Sequence, residues 1–271
     1  MTNNNINAYT RGSARHTGIR AYQHMADTWG VPVEELTTQE YKDAAGRAKA
    51  FRMFRAEQSA PDLLSFVIDN DPSKWAAGLN KIASAHAAAA YTETNYAKIS
   101  SALDQRADNL LHDDAALAHV ASVLDIDTAQ QQVIDAAAEL GEKLYSPQQS
   151  AIASPAAFSA YMEGIAKIVS LDAVLRSRAD RASMYASVPP LPSMKFEKDG
   201  YGIRTEHYGR DDVAKHQAAY DWRRKAALDD QEITRLAVGE FAPLSLSITL
   251  DPAVLSKRAA RLAGAGKTEQ I

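Results

Sequence analysis

Apolar residues recur through most of the chain at spacings of three and four, the signature of helices that each bury one face. Ile19, Tyr22, Met25 or Ala26, and Trp29 outline a first helix, and Gly30 is placed to end it. Tyr41, Ala45, Ala48 and Phe51 lie on one side of the next. Thr37-x-x-Glu40 opens that helix as a capping box, hydroxyl and carboxylate each satisfying an amide of the first turn. Asp71-Pro72 is a start signal, with aspartate as N-cap and proline at the first helical position. The helical pattern then runs to about residue 111, roughly 60 Å if unbroken, with residues 92–94 as the place for a kink. Further helices fit residues 115–124, residues 128–144 behind a Thr128-x-x-Gln131 cap, and residues 155 to about 186, with SPQQSAIASP as the loop between the last two.

The pattern changes at SVPPLPSMKF, where three prolines in four residues stop a helix and favour extended backbone. Residues 194–198 and 201–208 flank Asp199-Gly200, and a two-residue Asp-Gly link between extended segments predicts a β-hairpin. A helix over residues 211–228 follows, then a short strand in LSLSITL and a basic helix started by Asp251-Pro252. The expected architecture is all-α: a multi-helix bundle with a C-terminal appendage containing a small β-hairpin. Its parts are a polar N-terminal arm (1–18), a helical domain (19–188) and a proline-bounded appendage (189–271).

Composition supports this picture. Hydrophobic residues make up 46% of 271 positions and aromatics only 7%, with abundant alanine, which suits closely approaching helices better than stacked sheets. The chain has no cysteine, which excludes disulfides, thiolate nucleophiles and cysteine-held metals, so any metal must be bound by histidine and carboxylate. No apolar run approaches the roughly 18–20 residues that span a bilayer, and the start of the chain has no secretory h-region. A cytoplasmic location is expected, in a cell, in an infected host or within a virion.

The formal net charge of −4 is unevenly spread. Residues 61–170 carry 14 acidic and 6 basic groups, a net of −8, whereas residues 1–60 carry 8 basic and 6 acidic. The last twenty residues hold four basic groups against one acid. Basic ends around an acidic body suit contact with phosphates, with an acidic protein surface or with a neighbouring subunit. AAYDWRRKAALDD sets Trp222 among Arg223, Arg224 and Lys225, a combination able to stack bases. Over residues 195–235, however, nine basic residues balance nine acidic ones, and a strip built for nucleic acid should be net positive. AYQHMADTWGVPVEELTTQEY has a loose helix-turn-helix pattern, but Glu34, Glu35 and Glu40 would bring carboxylates toward phosphates.

Motifs with chemistry are sparse. GAGKT near the end lacks the upstream glycine of a phosphate loop, because Arg261 occupies its place. HEXXH and GxSxG are absent. In the middle of the chain, His86, the adjacent His112-Asp113 of NLLHDDAALAH, and Asp172 of IAKIVSLDAVL all fall on predicted helices. His86, Asp113 and Asp172 share faces that are otherwise apolar, where a carboxylate needs a metal, a cation or another partner. A histidine, a His-Asp dipeptide and a later aspartate on helices resemble the HD family of metal-dependent phosphohydrolases. The resemblance covers residues 74–181 and rests on these four positions. It implies that they hold one or two divalent metals that activate water against a phosphate ester or nucleotide, with Arg176 or Arg178 meeting the substrate phosphate. Ala115, Ala116 and Ala118 depart from the pattern, standing where an acid is often found. A helix end at Leu111 would instead make Asp113 an ordinary N-cap.

The leading expectation is a non-enzymatic helical interaction or assembly protein, a subunit or adaptor in an intracellular or viral complex. Tyr201, Ile203, Tyr208 and Trp222 are its candidate interaction residues, since a lone hairpin needs another surface. A protein partner or a homo-oligomer is expected, with no membrane and no cofactor. The alternative is the HD-type phosphohydrolase with its divalent metal, and a third reading is nucleic-acid association through the basic ends.

Overall fold

A computed structural model describes residues 18–57, 66, 68–69, 71–175, 178, 181–191, 195–196, 209–225, 228–265 and 269–270. Its helices begin with α1 (Ile19–Trp29), α2 (Val33–Leu36), α3 (Gln39–Glu57), α4 (Trp75–Asn109), α5 (Asp114–Val123) and α6 (Ile126–Leu140). There follow α7 (Pro147–Ala153), α8 (Pro155–Ser170), α9 (Asp172–Leu175), a 3₁₀ turn (Arg181–Met184) and strands β1 (Ala186–Ser187) and β2 (Lys195–Phe196). The chain continues through α10 (Arg210–Arg223), α11 (Asp230–Ala237), β3 (Ser245–Leu246), α12 (Pro252–Gly264) and β4 (Glu269–Gln270). The fold is thus the expected all-α bundle with a small antiparallel β element. No helix among the described residues is long and apolar enough to cross a membrane.

The chain divides into two compact units, Met1–Thr37 with His112–Ile271, and Thr38–Leu111. The larger is built on α6 against α8. α6 buries Ala129, Val133, Ala136 and Leu140, and α8 buries Tyr161, Gly164, Ile165 and Ile168, each set following helical spacing. Gly164 lets the two backbones approach: a Cβ there would lie 2.6 Å from Val133 Cγ2. α1 covers α8 with Tyr22 and Met25, both fully buried. Its Trp29 Nε1 donates to Ser170 Oγ at 2.9 Å. Gly30 ends α1 in the left-handed region at φ 69°, as its position in the sequence predicts.

Aspartates start four of this unit's helices. Asp113, Asp125, Asp229 and Asp251 each accept a backbone N–H of the first turn of α5, α6, α11 and α12. The cap expected at Thr128 is supplied by Asp125, so α6 starts two residues earlier. SPQQSAIASP is not a loop throughout, since it contains α7. Pro147 and Pro155 each open a helix, where a missing N–H costs nothing. α8 ends at Ser170 and not near 186. Leu171 to Leu175 are all buried, Asp172 included, and a fully buried run carries no period from which its end can be read.

β1 pairs antiparallel with β3, Ala186 opposite Leu246 and Ser187 opposite Ser245. Ser247 N–H to Tyr185 O (3.1 Å) and Thr249 N–H to Met184 O (2.9 Å) extend the pairing. This realises the strand expected in LSLSITL. β2 pairs parallel with β4. The turn at Asp199-Gly200, with its hairpin residues 197–208, lies outside the described residues, as do residues 1–17 of the polar arm.

The boundary expected after residue 188 does not divide the packing. α11 lies on α6 and α8, and α12 lies on the 3₁₀ turn and α5. Trp222, Ile233, Leu236 and Leu255 are buried as deeply as the residues of α8. The prolines redirect the chain, but the apolar faces that follow them complete the same core.

The smaller unit pairs α3 with α4. Asp71 caps the entry to α4 by accepting from Ser73 N–H at 2.9 Å, and the helix then runs unbroken for 35 residues, about 52 Å. Thr94 Oγ1 donates to Ala90 O at the site proposed for a kink without ending the helix. α3 is capped by Thr38 Oγ1, which accepts from Tyr41 N–H at 3.2 Å. Thr37, the expected cap, instead donates back to the carbonyls of Val33 and Glu34. Phe51 stacks on Tyr96 at 5.5 Å between ring centroids, and Arg52 pairs with Asp104 at 2.8 Å.

Candidate functional site

In the larger unit, polar groups gather where α9 leads to the 3₁₀ turn and β1. Asp172 is 6% exposed and forms an ion pair with Arg181. Tyr185, one residue beyond the turn, is 1% exposed. Burial and the Asp172 carboxylate push its phenol up, with Arg181 opposing in part, so it stays protonated across the working range of pH. At the surface side of the same region, Arg178 pairs with Asp114 at 2.7 Å. His112 Nδ1 lies 3.4 Å from Val174 O, a hydrogen bond when the proton sits on Nδ1.

The four residues of the HD-like pattern are therefore placed as follows. His112 and Asp172 both belong to this region, through Val174 and Arg181 respectively. Asp113 turns its carboxylate to its own helix, Oδ1 accepting from Ala116 N–H at 2.8 Å. His86 is exposed on α4 of the smaller unit. Among the described residues, no group of three or more His, Asp or Glu side chains is arranged to hold a metal ion. Arg178, a candidate phosphate contact, is engaged by Asp114, and Arg176 lies outside the described residues.

The 3₁₀ turn and β1 also anchor the end of the chain. Trp222 Nε1 donates to Ala182 O at 2.7 Å. Arg258, 9% exposed, reaches the carbonyls of Ser183, Met184 and Ser247 and the Ser247 hydroxyl. Burial, then Arg261, lowers its pKa from the ordinary arginine value. Arg261 donates to Val188 O at 2.6 Å, and Arg223 to Ala265 O at 2.8 Å. Three basic side chains of the C-terminal region thus hold carbonyls of their own chain.

Trp222, expected as an interaction residue, is fully buried and meets Phe241 edge-on at 5.3 Å. Lys225 and Arg235 lie over the Phe241 ring at 5.4 and 4.7 Å. Glu232 binds Lys225 at 2.8 Å, and Glu240 binds Arg235 at 2.6 Å. The tryptophan serves the internal core because its indole reaches a backbone acceptor forty residues away. Tyr201, Ile203 and Tyr208 lie outside the described residues. Sequence reasoning did not find Arg181, Tyr185 or Arg258, whose partners are set by folding and by no local spacing.

The smaller unit presents a different kind of surface. Its described core consists of Ala44, Ala48, Ile82, Ala107 and Leu111. Along all of α4 only Ile82 and Ala107 are buried among the described residues. On its open side Ala83, Ala87, Ala90, Thr94, Ala97 and Ser101, all exposed, recur at alternating spacings of four and three. Tyr91 beside them is 70% exposed. The spacing is that of a helix-packing seam.

These features define an all-α bundle protein with a long, thinly covered helix. Compared with known protein families, with curated proteins and with solved structures, the chain matches none.

Proposed function

We propose that the protein is a non-enzymatic assembly subunit that associates with a helical protein partner, or with further copies of itself, along α4. The observation that carries this reading is the shallow burial of α4: a helix of 35 residues keeps only Ile82 and Ala107 buried among the described residues. Helices draw most of their stability from packing an apolar face, and isolated ones are marginal. Two helices whose own described core is three alanines and one isoleucine gain most from a third. The open seam from Ala83 to Ser101 supplies a place for it, because small side chains let helix axes approach closely. With no cysteine, the chain needs no oxidising compartment to form disulfides, so a cytoplasmic, host-cytoplasmic or virion setting is compatible with the proposal.

Light scattering on the purified chain, with affinity capture from its native source, tests the proposal. Association is expected to be lost in Ala83→Glu/Ala90→Glu, since exposed positions accept glutamate within the fold but not within a helix contact. Circular dichroism checks that the variant keeps its helix content. A wild-type chain that stays monomeric and captures nothing, or a complex indifferent to both substitutions, would reject it.

A further inference from the structure

We propose that Tyr185 and Arg181 hold an internal water molecule beside the buried Asp172 carboxylate. Tyr185 is enclosed at 1% exposure, and its hydroxyl has no hydrogen-bond partner among the described residues. Arg181 Nε is likewise buried without one, although the guanidinium's other end is paired with Asp172. Buried polar groups are nearly always satisfied, by protein or by ordered water.

The chemistry of the two groups selects the ligand. Arg181 Nε–H can only donate, so the ligand must accept; the phenol both donates and accepts. A cation would meet Arg181, and an anion would meet Asp172, each at a cost in a buried setting. A small neutral molecule that accepts and donates meets every condition. The described chain beside it, Leu171 to Leu175 and Ser183 to Ala186, is buried throughout, a setting in which ordered water satisfies polar groups that the protein leaves without partners. Such a water links Tyr185 to Arg181, and through the Arg181–Asp172 ion pair to α9, at the 3₁₀ turn on which Trp222 and Arg258 converge. The phenol, kept protonated by burial and by Asp172, remains a donor to it at any working pH.

A high-resolution crystal structure of the wild-type chain, in which ordered waters are resolved, is the decisive experiment. Density for a water within hydrogen-bonding distance of Tyr185 Oη and Arg181 Nε upholds the site. Ordered side chains without that density, or a direct Tyr185 bond to a protein group, overturn it. Tyr185→Phe gives an independent reading. If the water is held, removing the hydroxyl strips it of a partner, and the midpoint of thermal unfolding falls by about 2–4 °C. A midpoint raised by the substitution means that the hydroxyl was unsatisfied, and also overturns the proposal.

Discussion

Gly164 of α8 faces Val133 of α6 so closely that a Cβ at Gly164 would lie 2.6 Å from Val133 Cγ2 and 3.3 Å from Ala129 O. The absence of a side chain sets the separation of the two central helices of the larger unit. Alanine at this position would gain roughly 1 kcal/mol of helix propensity. Overpacking a close contact costs about 1–3 kcal/mol. Gly164→Ala is therefore expected to be net destabilising in urea titrations, and Val133→Ala in the same chain to recover part of the loss. A neutral or stabilising Gly164→Ala would mean that the helices slide apart freely.

Asp113 separates a structural role from a metal-binding one. As N-cap of α5 it accepts from Ala116 N–H at 2.8 Å, so Asp113→Ala should cost about 1 kcal/mol. Asparagine caps nearly as well, so Asp113→Asn should retain most of the stability. A carboxylate serving as metal ligand would be lost equally in both variants, with a matching loss of bound metal. Denaturant melts paired with elemental analysis of the three proteins distinguish the two roles.

Asp230, 7% exposed, has a raised pKa, chiefly from burial and secondarily from Asp229, with backbone N–H groups opposing. A carboxyl whose folded pKa exceeds its unfolded value favours the folded state most when protonated. Its contribution therefore falls as pH rises from the unfolded value, about 3.9, through the raised folded value. Asp230→Asn removes that penalty. The variant's melting temperature should exceed the wild type's at pH 7, and the difference should shrink toward pH 4. Asp71, Asp125 and Glu163 have lowered pKa values and shift stability in the opposite sense, so the difference between the two proteins is the quantity to follow.

Trp222 should behave as core. It is fully buried, donates to Ala182 O at 2.7 Å and packs on Phe241. Trp222→Ala is expected to cost about 3–5 kcal/mol, and Trp222→Phe less, keeping an aromatic ring against Phe241 but leaving the Ala182 carbonyl unpaired. Guanidinium titrations would measure both. A near-neutral Trp222→Ala would place the indole outside the core.

Much of the local structure was legible in the sequence. Asp71-Pro72 and Asp251-Pro252 both start helices as expected, Gly30 ends α1, and LSLSITL contributes a strand. Errors of one to three residues arose where two nearby residues could cap: Thr37 against Thr38, and Thr128 against Asp125. The larger errors came where burial is complete. The end of α8 could not be read, because residues 171–175, buried on all sides, leave no polar face to mark a period.

The sequence by itself determined the class of fold and most helix starts, since capping and periodicity depend on residues within about four positions of one another. Only the tertiary structure decided which polar residues meet. Trp222 finds Ala182 across forty residues, Arg258 finds Ser183 across seventy-five, and Asp172 of α9 finds Arg181 in the 3₁₀ turn beyond it. Such pairs are chosen by the shape of the packed core, where the cost of leaving a buried donor or charge alone is settled by whichever partner the fold carries within reach.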